Sequence, residues 1–179
     1  MKILSIILLT LFVFIGSHSN GQKSSATRSQ TETWLLEKMN KYVAANTIKC
    51  YKIFQDDPST TTHCLTYRNV SFSFSGDNLI INMSVEKSIK DKLDSRFTRN
   101  VTIPLYALSN DFYITTNSLF FSTKYSAIKV EDSNGNPEKQ GSYSLSFKTN
   151  EEDDFESRFD KAMNHLRTFI KKPKSSEAF

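Results

Sequence analysis

A run near the end of the chain, Asn150 to Lys172, constrains the fold more than any other stretch. Phe155, Phe159, Ala162, Leu166 and Phe169 recur at helical steps, which draws one apolar stripe along a helix. Asn150 suits the N-cap, and the acids Glu151 to Asp154 fill the first turn, where the helix dipole favours negative charge. Arg167, Lys171 and Lys172 place positive charge at the other end, and Pro173 stops the helix. A stripe with three phenylalanines does not stay in water, so this helix must lie on something. The middle of the chain offers a β-barrel or sandwich for it to cover.

The 179 residues suffice for one domain with a core. Met1-Lys2 and the apolar run Ile3 to Ile15 read as a signal peptide over residues 1–21, cleaved before Gln22. The run is short for a membrane span, so the mature chain is expected to be exported, periplasmic or secreted, without a span. The net charge of +4 is small and interleaved with acids, which argues against a nucleic-acid partner. Both cysteines, Cys50 and Cys64, survive cleavage, and export favours a disulfide between them. Gln55 to Thr62 reads as a turn around Pro58, and a hairpin centred at Asp57 sets positions 50 and 64 opposite one another.

Residues 22–28 are polar and serine-rich, a disordered lead-in. Ser29 with Glu32 makes a capping box for a helix to about Val43, with Trp34, Leu35, Met39 and Tyr42 as core anchors. From Thr47 the period changes to two, with strands at Ile48–Ile53 and Cys64–Phe74. Gly76-Asp77-Asn78 is a turn, and Leu79, Ile81, Met83 and Val85 form the next inward row. Glu86 to Arg96 reads as a solvated, charged loop. Val101, Ile103 and Leu105 resume the alternation, and Pro104 argues for an edge strand. Phe112 and Ile114 precede a turn at Asn117-Ser118, and Leu119, Phe121, Thr123 and Tyr125 make another inward row. Ile128 and Val130 are out of phase with it, so a bulge or bend is expected near Ser126-Ala127. Asp132 to Gly141 is a plain surface turn, its spacing of acids wrong for a calcium loop. Tyr143, Leu145 and Phe147 form the last strand.

The expected fold is therefore α+β and mainly β. It has about seven antiparallel strands, an N-terminal helix and a long C-terminal capping helix. The domain spans residues 29–172, and residues 173–179 form a disordered tail. A pleckstrin-homology-like barrel or sandwich fits this order, and a helix-grip fold is the competing arrangement.

The opening helix Thr33-Trp34-Leu35-Leu36-Glu37-Lys38-Met39-Asn40-Lys41-Tyr42 resembles that of small exported proteins of Bacteroidota. Thr102-Ile103-Pro104-Leu105 and the helix phrase through Arg158, Lys161, Ala162, His165 and Leu166 are similar to later landmarks of that family. The resemblance covers most of the mature chain and implies a pleckstrin-homology-like domain of unknown function. It brings no catalytic residues, and the Cys50 and Cys64 pair is not part of its pattern.

Residues for chemistry are sparse. His18 leaves with the signal peptide, and His63 and His165 lack partners at motif spacing. Asp56-Asp57 and Asp153-Asp154 sit where turns and helix starts want acids. No phosphate loop, nucleophile elbow or metal motif occurs, so no enzyme, cofactor or metal is expected. Sequons stand at Asn69, Asn82 and Asn100. Two readings remain: a non-catalytic binding module for a peptide or protein, or a barrel carrying a small apolar ligand such as a lipid. Arg99 and Thr123, polar residues in inward phase, hint at the second.

Overall fold

The structure is a computed structural model, and it describes residues 25–44, 46–53, 61–109, 113–115, 117–149 and 152–171. The expected signal peptide, the turn around Pro58, Phe112 and the tail from Pro173 lie outside the described residues. The last helix starts later than expected: Asp154, with positive φ, stands at its N-cap in place of Asn150, so Glu152, Asp153 and Asp154 precede its first turn rather than fill it.

Helix α1, Arg28–Tyr42, opens the described fold. Its cap is Thr27, not Ser29: the Thr27 side chain accepts from the Gln30 N–H, and the Gln30 side chain accepts from the Thr27 N–H at 2.9 Å. Glu32 is thereby freed to pair with Arg28 at 2.7 Å. The lead-in is correspondingly shorter than expected, since Ala26 and Thr27 are both hydrogen-bonded. Thr31, Leu35, Met39 and Tyr42 make the buried stripe of α1.

Four long strands follow, β1 (Thr47–Ile53), β2 (Thr61–Ser75), β3 (Asn78–Ile89) and β4 (Lys92–Pro104). Then come β5 (Tyr113–Ile114), β6 (Ser118–Ser122), β7 (Ile128–Asp132), β8 (Glu138–Gln140) and β9 (Ser142–Ser146). Helix α2, Phe155–Thr168, ends the fold. Nine strands among the described residues replace the smaller number expected, in two antiparallel sheets. One has the order β1-β2-β3-β4-β7-β8 and curls into a half-barrel, and the other has the order β5-β6-β9.

Three expectations are corrected along the sheet. Glu86 to Arg96 is not a loop but the paired end of the β3–β4 hairpin, turning at Lys90-Asp91 with both φ angles positive. Such angles match the twist of a tight hairpin without glycine. The charges there pair across strands, Glu86 with Arg68 and Arg96 at 3.1 and 3.0 Å, and Lys87 with Asp94 at 3.1 Å. Pro104 ends an interior strand, beyond the last β7 partner at Thr102, so its missing N–H breaks no ladder there. Tyr125 is 96% exposed rather than inward. The bend expected near Ser126 begins earlier, and positive φ at Tyr125 and Ser126 swings the ring out before Ile128 turns back in.

Helix α2 closes the core with Phe155, Phe159, Met163 and Leu166. Met163 takes the place expected for Ala162, and Phe169 lies past the helix end. Phe72, Phe121, Phe147, Phe155 and Phe159 are buried in one cluster with the inward rows of both sheets. Tyr42 meets Phe155 edge-on at 4.7 Å, and Trp34 stacks over Phe155 at 6.4 Å. Between the helices, Glu152 accepts from Lys38 at 2.8 Å, Tyr42 at 2.6 Å and Arg158 at 2.6 Å.

Candidate functional site

The half-barrel does not close. Strand β1 pairs with β2 on one side and with no described strand on the other. Among the described strands, β9 likewise pairs only with β6. The two free edges meet just before β1 begins, where Val43 bridges Phe147 and the Ala44 N–H donates to the Ser146 carbonyl at 2.9 Å. Beyond that point they share no ladder, and a side chain spans the split: Lys49 Nζ donates to the Ser144 carbonyl at 2.8 Å and to Ser144 Oγ at 3.1 Å.

Which backbone groups face the split follows from the disulfide. Cys50 and Cys64 are joined, with their Cα atoms 4.1 Å apart. That separation marks a pair that exchanges no backbone hydrogen bonds, so the Cys50 N–H and C=O point away from β2. The Thr62 carbonyl accepts from the Lys90 N–H, which turns Thr62 toward β3 and leaves its partner Lys52 in the same state as Cys50. Ile48, Cys50 and Lys52 therefore present their backbones to the open edge. Across the split, the Ser144 and Ser146 carbonyls face the same gap.

Behind the split lies a cluster of polar and aromatic side chains that the strand phase carries inward. Arg99 makes a two-pronged bond to Asp132, at 2.6 and 2.7 Å. A third prong reaches the Tyr67 hydroxyl at 3.4 Å. The guanidinium lies 5.9 Å from the Tyr67 ring centre and 5.7 Å from that of Phe97. Lys49 lies 5.9 Å from the same Tyr67 ring, and the Tyr143 hydroxyl reaches Met83 Sδ at 3.5 Å. Farther out on the same face, Tyr51 stacks on His63, and Leu65 is half-buried.

The electrostatics of the cluster are those of an excess cation. The Asp132 hydrogen bonds raise the Arg99 pKa despite burial, so its charge is permanent. Burial pushes the Lys49 ammonium down, and the charge of Arg99 adds to that. Burial also pushes the Tyr67 and Tyr143 phenols up, so both stay neutral. Asp132 is the one carboxylate there among the described residues, and Arg99 engages both of its oxygens. Such a cluster can hold an anion.

The residues singled out by sequence separate widely. Thr123 is buried, but its hydroxyl accepts from the Ala127 N–H at 3.1 Å and serves the bend. His165 donates to the Ala26 carbonyl and fastens α2 to the chain before α1. Asp154 is exposed at the start of α2, and Asp56-Asp57 lies outside the described residues. The sequons Asn69, Asn82 and Asn100 gather on the outer face, along a groove of about 590 Å³, where Asn100 donates to Asn82 at 2.7 Å. Sequence reading reached Arg99 and missed Lys49, Tyr67 and Tyr143. The available signal was a lysine in the inward phase of a strand, two residues before Tyr51 on the same face.

Among the described residues, no group of three or more histidines, cysteines or acids could hold a metal ion, and no helix is long and apolar enough to cross a membrane. No family model matches the chain, and neither a curated protein nor a solved structure is significantly similar to it.

Proposed function

We propose that the chain is an exported, non-catalytic binding module that receives a protein or peptide at the open side of its half-barrel. The observation that carries this reading is the split itself, two strand edges with no strand partner among the described residues over a half-buried cationic cluster. Natural sheets cover or blunt such edges; here Lys49 reaches across the split, while the backbones of Ile48, Cys50 and Lys52 stay open for a partner strand. The alternative, a barrel carrying a lipid or another small apolar ligand, needs a hollow interior. Phe121, Phe147 and Phe159 fill that interior, each at most 1% exposed. Export is supported by the Cys50–Cys64 disulfide, a bond that persists in oxidising compartments. A curled antiparallel sheet with a final helix on its core supports a pleckstrin-homology-like reading of the fold, as in the exported proteins that the opening helix resembles.

Photo-crosslinking in the chain's own source tests the site. A photoreactive residue in place of Tyr51, beside the split, is expected to capture a polypeptide, while the same residue in place of Tyr125 captures none. Capture from the Tyr125 position alone, or capture of lipid from the Tyr51 position, would overturn the reading.

A further inference from the structure

We propose that an extended segment of a partner protein completes the split between β1 and β9, adding a strand and bringing an acidic side chain to Lys49. The proposal rests on the binding reading above and specifies its partner.

The backbone is already set for an added strand. Ile48, Cys50 and Lys52 on one edge present the alternating donors and acceptors that an added strand pairs with. Ser144 supplies a facing carbonyl on the other edge, and Lys49 now occupies it. Pairing across the split puts a partner N–H on that carbonyl and releases the ammonium.

Charge selects the added strand's side chain. The polar contacts of Lys49 among the described residues are the Ser144 carbonyl and hydroxyl, and a carboxylate is not among them. Its near charged neighbour is another cation, Arg99, whose own acid is fully engaged. A half-buried ammonium released from Ser144 needs a new acceptor, and only an anion also offsets the repulsion from Arg99. The exchange conserves hydrogen bonds: the partner N–H replaces Lys49 at Ser144, and the partner carboxylate replaces Ser144 at Lys49.

Strand alternation fixes the rest of the pattern. When the acid points inward to Lys49, its two neighbours point outward, one beside Ile48, which is 62% exposed, and one beside the Cys50–Cys64 disulfide. The expected segment thus alternates apolar, acidic, apolar. An ordinary basic or Gly-Pro-rich segment fits neither the charge nor the ladder.

Selection from a random peptide library displayed on phage, against the oxidised chain and its Lys49→Gln variant, tests this. Selected peptides are then mapped by amide chemical shifts and hydrogen exchange. The expected result is enrichment of apolar-acid-apolar sequences with new protection at Ile48, Cys50, Lys52 and Ser144. Replacing the peptide's acid by its amide should weaken binding by about tenfold, as loss of a charge-assisted bond implies, and Lys49→Gln should remove that difference. Peptides that protect the same amides but show no acid dependence would overturn the acidic partner and leave the binding site standing. Protection elsewhere, or no enrichment at all, would overturn both.

Discussion

At the scale of single residues, the core and the cationic cluster are set by which side chains turn inward, and strand phase and helical spacing made most of these legible. Leu79, Ile81, Met83 and Val85 are all buried, as their alternation requires. Two residues escaped that logic for local reasons. Tyr125 keeps the inward phase of Leu119 and Phe121, but positive φ at Tyr125 itself breaks the alternation. Ala162 and Met163 both fit a helical stripe, and the longer side chain covers more of the core. Phe159 is wholly buried against Phe155, so Phe159→Ala should cost about 3–5 kcal/mol in chemical denaturation. Glu152 carries a pH effect. The ammonium of Lys38, then the Tyr42 hydroxyl, pulls its carboxyl from 4.5 down to about 2. A depressed carboxyl stabilises the fold above its unfolded value and loses that contribution as pH falls through its folded one. The melting temperature should therefore drop between pH 4.5 and 2 in part through Glu152. Glu152→Gln should lower it by about 2–4 °C near neutrality and flatten that acid limb, read by calorimetry across pH.

At the scale of elements, paired strands emerged wherever one face was apolar and were missed where both faces were wet. The end of the β3–β4 hairpin has charges on Glu86, Lys87, Asp94 and Arg96, which composition alone cannot tell from a loop. Pairing across strands, not burial, sets their geometry, and pairing is invisible in one-dimensional spacing. The short β8 escaped for the same reason, since Glu138 and Lys139 are exposed. The β1–β2 pairing was legible because its two cysteines fall at mirrored positions about the turn. Their bond closes a loop with a separation of 14 residues and secures a strand with a described neighbour on one side only. Cys50→Ser with Cys64→Ser should thus cost about 2–4 kcal/mol in chemical denaturation, with exchange accelerating first across β1.

At the scale of the whole molecule, helix α2 plays the part its stripe implied, since two sheets and α1 pack around its phenylalanines. The half-barrel with a split was not legible. Closure depends on whether β1 and β9 stay side by side beyond the antiparallel bridge of Val43 and Phe147, and no local pattern encodes that. The candidate site inherits the same blindness: Lys49, Tyr67, Arg99 and Tyr143 come from four strands, and only the curl of the sheet assembles them. Amide hydrogen exchange along β1 of the free, oxidised chain tests the open edge most directly. The account predicts fast exchange at Ile48, Cys50 and Lys52, alternating with slow exchange at Lys49 and Tyr51, whose amides face β2. Uniformly slow exchange along β1 would mean that the edge is already paired, and would contradict the open split on which the proposed binding site depends.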